Sequence, residues 1–257
     1  MSALRIAVAG KGGAGKTTLS STMARLFARQ GKDVIVVDGD SNPNVATALG
    51  IGRERAAAIQ PLPMGLVSRK LNGNAALKDP VMDVVQRYGG LAPDNVHVLM
   101  MAMPAHADEG CLCSAHATVS ALLADIEELD NTVSILDLEA SPEHLSRGTT
   151  RHVDALLLVV EPYYRSFETA RRMAALAAEL PIGRVGVVAN KLRAPEDAQA
   201  ISEYCERHGL TLEGELPWST QVLDADRAEI PLLDFDPASP VVSAVAKLVD
   251  KLAAVKA

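Results

Sequence analysis

Three cysteines in 257 residues are too few for a disulfide framework. Two of them lie together as Cys111-Leu112-Cys113, and in a reducing compartment such a pair points to thiolate chemistry instead. No run of basic residues occurs and the formal charge is −7, so the surface as a whole is expected to repel nucleic acid and anionic lipid. No segment approaches the 18 consecutive apolar residues of a membrane span. The first residues lack the basic region and apolar stretch of a signal peptide, and no internal repeat or low-complexity tract is evident. These absences predict a cytoplasmic protein with neither nucleic acid nor membrane as partner. What is present is 48% apolar residues, enough for a full core, and one α/β domain over 1–257 is expected.

Short β-branched-rich runs alternate with helical patterns: 4–9, 34–37, 96–100, 133–136, 155–160 and 185–189. Such runs predict a mostly parallel central sheet with helices on both faces. Ligands of these sheets bind beyond the carboxyl ends of the strands. The stretch from about 50 to 95 scatters Gly, Pro and Asn among weak helical patterns and reads as a variable insertion.

After the first run stands Gly10-Lys11-Gly12-Gly13-Ala14-Gly15-Lys16-Thr17-Thr18, followed by a helical pattern from Thr17 to Gln30. Strand, glycine-rich loop and helix together make a phosphate cradle, in which backbone N–H groups of Gly12, Gly13, Ala14, Gly15 and Thr18 face the phosphates with the helix N-terminus behind them. Lys16 is the candidate for the outer phosphates and Thr17 for a magnesium ion bridging them. The ligands expected are ATP and magnesium.

The ends of later strands supply carboxylates. Asp38-Gly39-Asp40 closes the second run, where Asp40 is the candidate to orient the attacking water and Asp38 to hold the magnesium shell; local hydrogen bonding to backbone N–H groups is the alternative for both. Asp137 closes the fourth and fits a magnesium contact through water, followed by a segment suited to sensing the γ-phosphate; helix capping is the alternative.

Lys11 narrows the class. The run Lys-Gly-Gly-x-Gly-Lys-Thr-Thr resembles the deviant Walker A motif of the MinD, ParA and nitrogenase-iron-protein group of P-loop NTPases. That resemblance implies that Lys11 reaches across a dimer interface to the partner's nucleotide, as an arginine finger does. It also implies that Asn190 recognises adenine and that the segment around Pro217 and Trp218 closes over the base; an ordinary turn position for Asn190 and a core anchor for Trp218 are the alternatives.

Cys111 and Cys113 precede a helical pattern from about Ser114 to Leu129, and a helix N-terminus favours the thiolate. Two ligands are too few for a closed site, whereas a two-fold dimer supplies four sulfurs, suiting zinc or nickel. Packing as two small apolar residues is the alternative. His106, His116 and His144 are candidates to supplement the thiolates, but His116, in the first helical turn, reads rather as a partly exposed helix histidine, His144 as part of the switch, and Cys205 as core.

The loop, Asp38 to Asn44, Cys111-x-Cys113, Asp137 to Ala140 with Glu143 to Thr149, and Glu161-Pro162 with Arg165 to Ala170 together resemble the CooC family, the nickel-insertion accessory ATPases of carbon monoxide dehydrogenase. The resemblance implies a nucleotide-dependent homodimer, nickel or zinc at Cys111 and Cys113 of both subunits, and an apo carbon monoxide dehydrogenase-type client. Ser141 and Pro142 depart from the usual glycine-containing continuation after Ala140. The rival is a MinD- or ParA-like spatial-organisation or partitioning ATPase acting on protein, DNA or membrane; its membrane form would need the final helical stretch, Val241 to Val255, as an amphipathic anchor. An iron–sulfur reductase is a third reading, disfavoured by the Cys-x-Cys spacing.

Overall fold

Continuous apolar runs have no polar side to offer water, and each becomes a strand covered on both faces. The computed structural model describes residues 3–69, 75–102 and 113–254. Its elements begin with β1 (Leu4–Gly10), α1 (Lys16–Arg29), β2 (Asp33–Gly39), α2 (Val45–Ala48), α3 (Arg53–Ala57), β3 (Val67–Arg69), β4 (Ala75–Leu77), α4 (Val81–Tyr88), β5 (Gly90–Leu91) and β6 (His97–Met100). They continue with α5 (Cys113–Ile126), β7 (Thr132–Leu138), α6 (Glu143–Ser146), β8 (Ala155–Val160), α7 (Tyr164–Ala177) and β9 (Arg184–Leu192). The last are α8 (Pro195–His208), β10 (Thr211–Pro217), α9 (Thr220–Arg227), α10 (Leu232–Phe235) and α11 (Pro240–Ala253).

The main sheet has the order β10-β9-β8-β1-β7-β2-β6-β5, parallel except where β5 runs against β6. Side chains alternate along β1: Leu4, Ile6 and Val8 join the cluster under α1 and α11, while Ala7 and Ala9 join the opposite one. The registers Val8↔Asp137, Asp38↔Asp137 and Gly10↔Val159 bring the carboxyl ends of β1, β2, β7 and β8 to one edge. That edge is where the sequence places its chemistry.

Strand β10 is absent from the expected set because it lacks an apolar run. Its Thr211-Leu-Glu-Gly-Glu-Leu-Pro217 leaves Thr211 and Glu215 exposed and buries Glu213 and Leu216. Arg184 and Lys251 both pair with that carboxylate, Lys251 Nζ at 2.7 Å, so an inward acid is neutralised from β9 and α11. The apolar stripe of α11 (Val241, Val242, Val245, Leu248, Val249, Leu252) is buried in the core. Among the described residues no helix is long and apolar enough to cross a membrane.

The stretch 50–95 folds into α3, a β3–β4 hairpin, α4 and β5, and it braces α5. Leu62, Leu66, Val81, Val84 and Val85 share a cluster with Val119, Leu122, Leu123 and Ile126. Leu77 N also donates to Asp125 Oδ2 at 3.3 Å.

Helix α1 is held by a buried guanidinium: Arg25 pairs with Asp94 at 2.7 Å and with Asp234 of α10. Arg25→Ala is expected to leave Asp94 and Asp234 to the more exposed Arg29 alone, at 3.0 and 3.3 Å, and to lower stability by about 2 kcal/mol. Urea unfolding followed by circular dichroism measures this directly.

Candidate nucleotide site and the cysteine-bearing helix

The glycines of the loop answer to geometry. A Cβ on Gly10 would lie 2.5 Å from Val159 O, and one on Gly15, with φ of 98°, would lie 2.4 Å from Asn190 Nδ2. Side chains are therefore excluded where the loop leaves β1 and where it enters α1. Ala14 N donates to Lys11 O at 3.1 Å, closing the turn.

Behind the loop, Lys16 is buried. Thr17 Oγ1 donates to Asp137 Oδ2 at 2.7 Å and Ser20 Oγ to Asp137 Oδ1 at 2.9 Å. Burial pushes the Asp137 carboxyl up to about 7, helped by the neighbouring Asp38 charge and opposed by the two hydroxyls and Lys16. Burial likewise pushes Asp38 up to about 6, against the pull of its backbone hydrogen bonds. Two adjacent buried carboxylates beside a threonine hydroxyl form an all-oxygen donor set, which fits a hard divalent cation such as magnesium.

The two carboxylates are not equivalent. Asp38 Oδ1 accepts from Asp40 N at 3.1 Å, and Oδ2 from Asn44 N and Val45 N, both at 2.9 Å. It thus pins the 40–45 loop, the backbone-bonding alternative weighed for this pair. Asp40 stands half-buried beside it, with Oδ1 accepting from Asn42 N at 2.9 Å.

Asn190, at the end of β9, donates from Nδ2 to Ala14 O at 2.7 Å and accepts from Lys191 N. Lys191 Nζ donates to Gly13 O at 2.6 Å and pairs with Glu161 Oε2 at 3.0 Å. Tyr163 Oη donates to Glu161 Oε1 at 3.2 Å, and Lys11 Nζ lies 5.7 Å from the centre of the Tyr163 ring. Pro217 ends β10 opposite Leu192, and beyond it Arg193 stacks over Trp218 at 4.4 Å. The loop, Asn190 and Lys11 are thereby gathered at one edge. Glu161, Tyr163 and Lys191 complete that gathering without having been singled out from the sequence as site residues.

The switch segment follows β7. A Cβ on Gly12 would meet Ala140 Cβ at 3.6 Å, so the segment abuts the phosphate loop. Ser141 Oγ accepts from Glu143 N at 3.2 Å just ahead of the short α6. His144 Nε2 donates to Gly39 O at 3.0 Å, its ring stands edge-on to His116 at 4.7 Å, and burial pushes it down to about 4.

His116 is buried, not partly exposed as expected, because α5 turns it inward against Thr149 Oγ1 at 2.7 Å. Burial lowers its pKa, so the 4.0 Å approach of Nε2 to Glu143 Oε1 is not an ion pair. Cys113 opens α5 with its sulfur in a disulfide, not as the thiolate expected from the sequence, and that sulfur accepts from Arg147 Nη1 at 3.0 Å. Cys111 and His106 lie outside the described residues. Among the described residues no group of three or more His, Cys, Asp or Glu is placed to hold a metal. Cys205 is a buried thiol pushed up to about 11 by burial, as core packing requires.

With the phosphate loop, its second lysine and the buried aspartate on its threonine in place, residues 6–233 match the family model of the CobQ/CobB/MinD/ParA nucleotide-binding domain. The chain belongs to that family. It is an ATPase of the family and a homologue of the carbon monoxide dehydrogenase accessory protein CooC of Rhodospirillum rubrum, with 33% identity over 242 residues and 91% of each chain covered. An uncharacterised ATP-binding protein of Methanocaldococcus jannaschii is 35% identical over 232 residues, covering 87% of this chain and 88% of its own. Among solved structures, the septum site-determining protein MinD of Pyrococcus horikoshii with Mg-ADP superposes with a TM-score of 0.72 at 17% identity, covering 99% of both chains. This last likeness concerns the fold.

Within this MinD/ParA-type ATPase, the signal that would have found Glu161 and Lys191 was their position: each follows directly, or within two residues, an apolar run that ends at the sheet's carboxyl edge. The contact of Arg147 with Cys113 had no such signal.

Proposed function

We propose that this chain is an ATP-dependent homodimeric metallochaperone. It binds a divalent metal, nickel foremost, with Cys111 and Cys113 of two subunits, and couples ATP binding and hydrolysis to insertion of that metal into a carbon monoxide dehydrogenase-type client. The observation that carries the reading is the placement of Cys113 at the start of α5 with Arg147 of the switch region on its sulfur, in a chain homologous to CooC. Metal and nucleotide then act through neighbouring elements.

In this reading all 257 residues form one P-loop domain with a variable insertion at about 50–95, working in the cytoplasm. The loop N–H groups and Lys16 hold the phosphates, Asn190 and the Pro217 segment hold the base, and Asn190 exchanges its bond to Ala14 O for the adenine. Thr17, Asp38 and Asp137 would hold magnesium, which would supply positive charge against the phosphates. Asp40 orients the attacking water. Lys11, parked over Tyr163 in its own subunit, swings to the partner's phosphates when two subunits meet. The buried stripe of α11 argues against a membrane anchor and so against that form of the partitioning alternative.

The test is anaerobic equilibrium dialysis of reduced protein against nickel and zinc, with no nucleotide, ADP and ATP, comparing wild type with Cys111→Ser/Cys113→Ser. About one metal per dimer is expected in wild type, dependent on nucleotide and lost in the double variant. Equal, negligible binding by both proteins returns the cysteines to packing and refutes the metal role.

A further inference from the structure

The switch helix and the cysteine-bearing helix are joined by a continuous run of side chains. Arg147 Nη1 donates to Cys113 Sγ at 3.0 Å, while Arg147 Nε donates to Glu143 Oε1 at 2.6 Å. That same oxygen lies 4.0 Å from His116 Nε2, whose ring meets His144 edge-on, and His144 donates to Gly39 O. Gly39 ends β2 immediately before Asp40. The run therefore begins on a sulfur and ends on the strand that carries the candidate for water activation.

Three features suit this run to two arrangements. A Cβ on Gly39 would come within 3.0 Å of His144 Cε1, so the imidazole lies directly on bare backbone. His116 Nε2 and His144 Nδ1 are buried without a hydrogen-bond partner, and each such group costs about 1–3 kcal/mol. That cost is removed in any arrangement of α6 that supplies a donor. Finally, α6 has only four residues and begins three positions after Ala140, whose Cβ would lie 3.6 Å from a Cβ on Gly12, so a short segment joins it to the phosphate loop.

We propose that Arg147 and Glu143 are positioning residues for Cys113: the guanidinium, aimed by Glu143, holds the sulfur, and displacement of α6 between ADP and ATP states transmits loop occupancy to it through His144 and His116. The proposal rests on the metal-delivery reading for its purpose and concerns the reduced protein: Cys113 is disulfide-bonded in the structure, and only its reduced sulfur, released by the guanidinium, is open to a metal. The coupling itself is a property of the two helices and is measurable without metal.

In a Cys111→Ser/Cys205→Ser background Cys113 is the chain's single thiol. Its alkylation by iodoacetamide is followed with magnesium and either ADP or a non-hydrolysable ATP analogue. The rates are expected to differ by at least about five-fold between the two states, and to converge within about two-fold when Arg147→Ala is added. Arg147→Lys, which keeps the charge but not the fork that engages Glu143 and sulfur together, is expected to fall between them. Equal rates in the unsubstituted background, or a five-fold difference surviving in Arg147→Ala, overturn the proposal. Nickel dialysis of the full chain separates the two claims. Nucleotide-dependent alkylation without metal binding refutes the metal role and keeps the coupling; metal binding with nucleotide-independent alkylation refutes the coupling and keeps the metal role.

Discussion

Lys11→Ala is expected to bind ATP nearly as wild type does, yet fail to dimerise with it and lose at least about 100-fold in hydrolysis rate, the range of a cation supplied in trans. In the structure Lys11 Nζ rests 5.7 Å from the Tyr163 ring, while the buried Lys16 stands behind the loop. The buried lysine of the loop and its signature lysine thus stand apart in one chain. A cation over an exposed ring contributes only about 0.5–1 kcal/mol, so a partner's phosphates readily draw Lys11 away. Light scattering with ATP and a phosphate-release assay measure the two losses. Mixing Lys11→Ala with Asp40→Asn sharpens the test, because each heterodimer then has one site with both an intact Asp40 and a Lys11 supplied by the partner. Random pairing into two-fold dimers gives about a quarter of wild-type activity. No recovery on mixing, or ATP-induced dimers of Lys11→Ala alone, refutes the trans role.

Asp137→Asn is expected to split stability from activity. Asp137 is buried, neighbours the Asp38 charge, and titrates near 7, above the ordinary carboxylate range. A carboxyl whose folded pKa is raised binds its proton more tightly in the folded state, so its contribution to stability is present at low pH and is lost as pH climbs from about 4 to about 7. Asparagine removes that penalty. The nucleotide-free variant should therefore melt several degrees higher than wild type at pH 8, with the gain shrinking toward pH 4. The hydroxyls of Thr17 and Ser20 rotate to suit an amide, so their bonds survive in part. With magnesium and ATP the order reverses, because the variant has lost a cation ligand, and hydrolysis should fall at least about 100-fold. A variant that hydrolyses ATP at the wild-type rate removes Asp137 from the magnesium shell; one that melts lower without nucleotide at pH 8 shows that the hydroxyl bonds outweigh the buried charge.

The glycine-rich loop, the strand before it and the helix after it were legible in the sequence because each depends on local pattern. An apolar run buries itself, glycines permit turns closed to side chains, and a helical period continues until Gly31 stops it. Asp38, Asp137 and Asn190 were found by one rule, that chemistry follows the carboxyl end of a parallel strand, and all three lie at that edge. The rule does not say what each group touches. It assigned Asp38 to the magnesium shell without saying that its oxygens also accept from the N–H groups of residues 40, 44 and 45. Strand β10 escaped notice because its buried acid is neutralised from other elements. His116 was misjudged because helical position alone does not say which face a neighbour covers.

The amino-acid sequence by itself determined the nucleotide chemistry, the parallel sheet and the pairing of a second lysine with the loop, since motif, period and strand ends lie within a few residues of one another. Only the tertiary structure decided that Lys191, Glu161 and Tyr163 surround the loop, that α11 faces the core, and that Arg147 meets Cys113. Those contacts join residues tens to nearly two hundred positions apart, and no local spacing encodes them; they exist because helices packed on one sheet bring its carboxyl edge and the ends of their own chains to the same place.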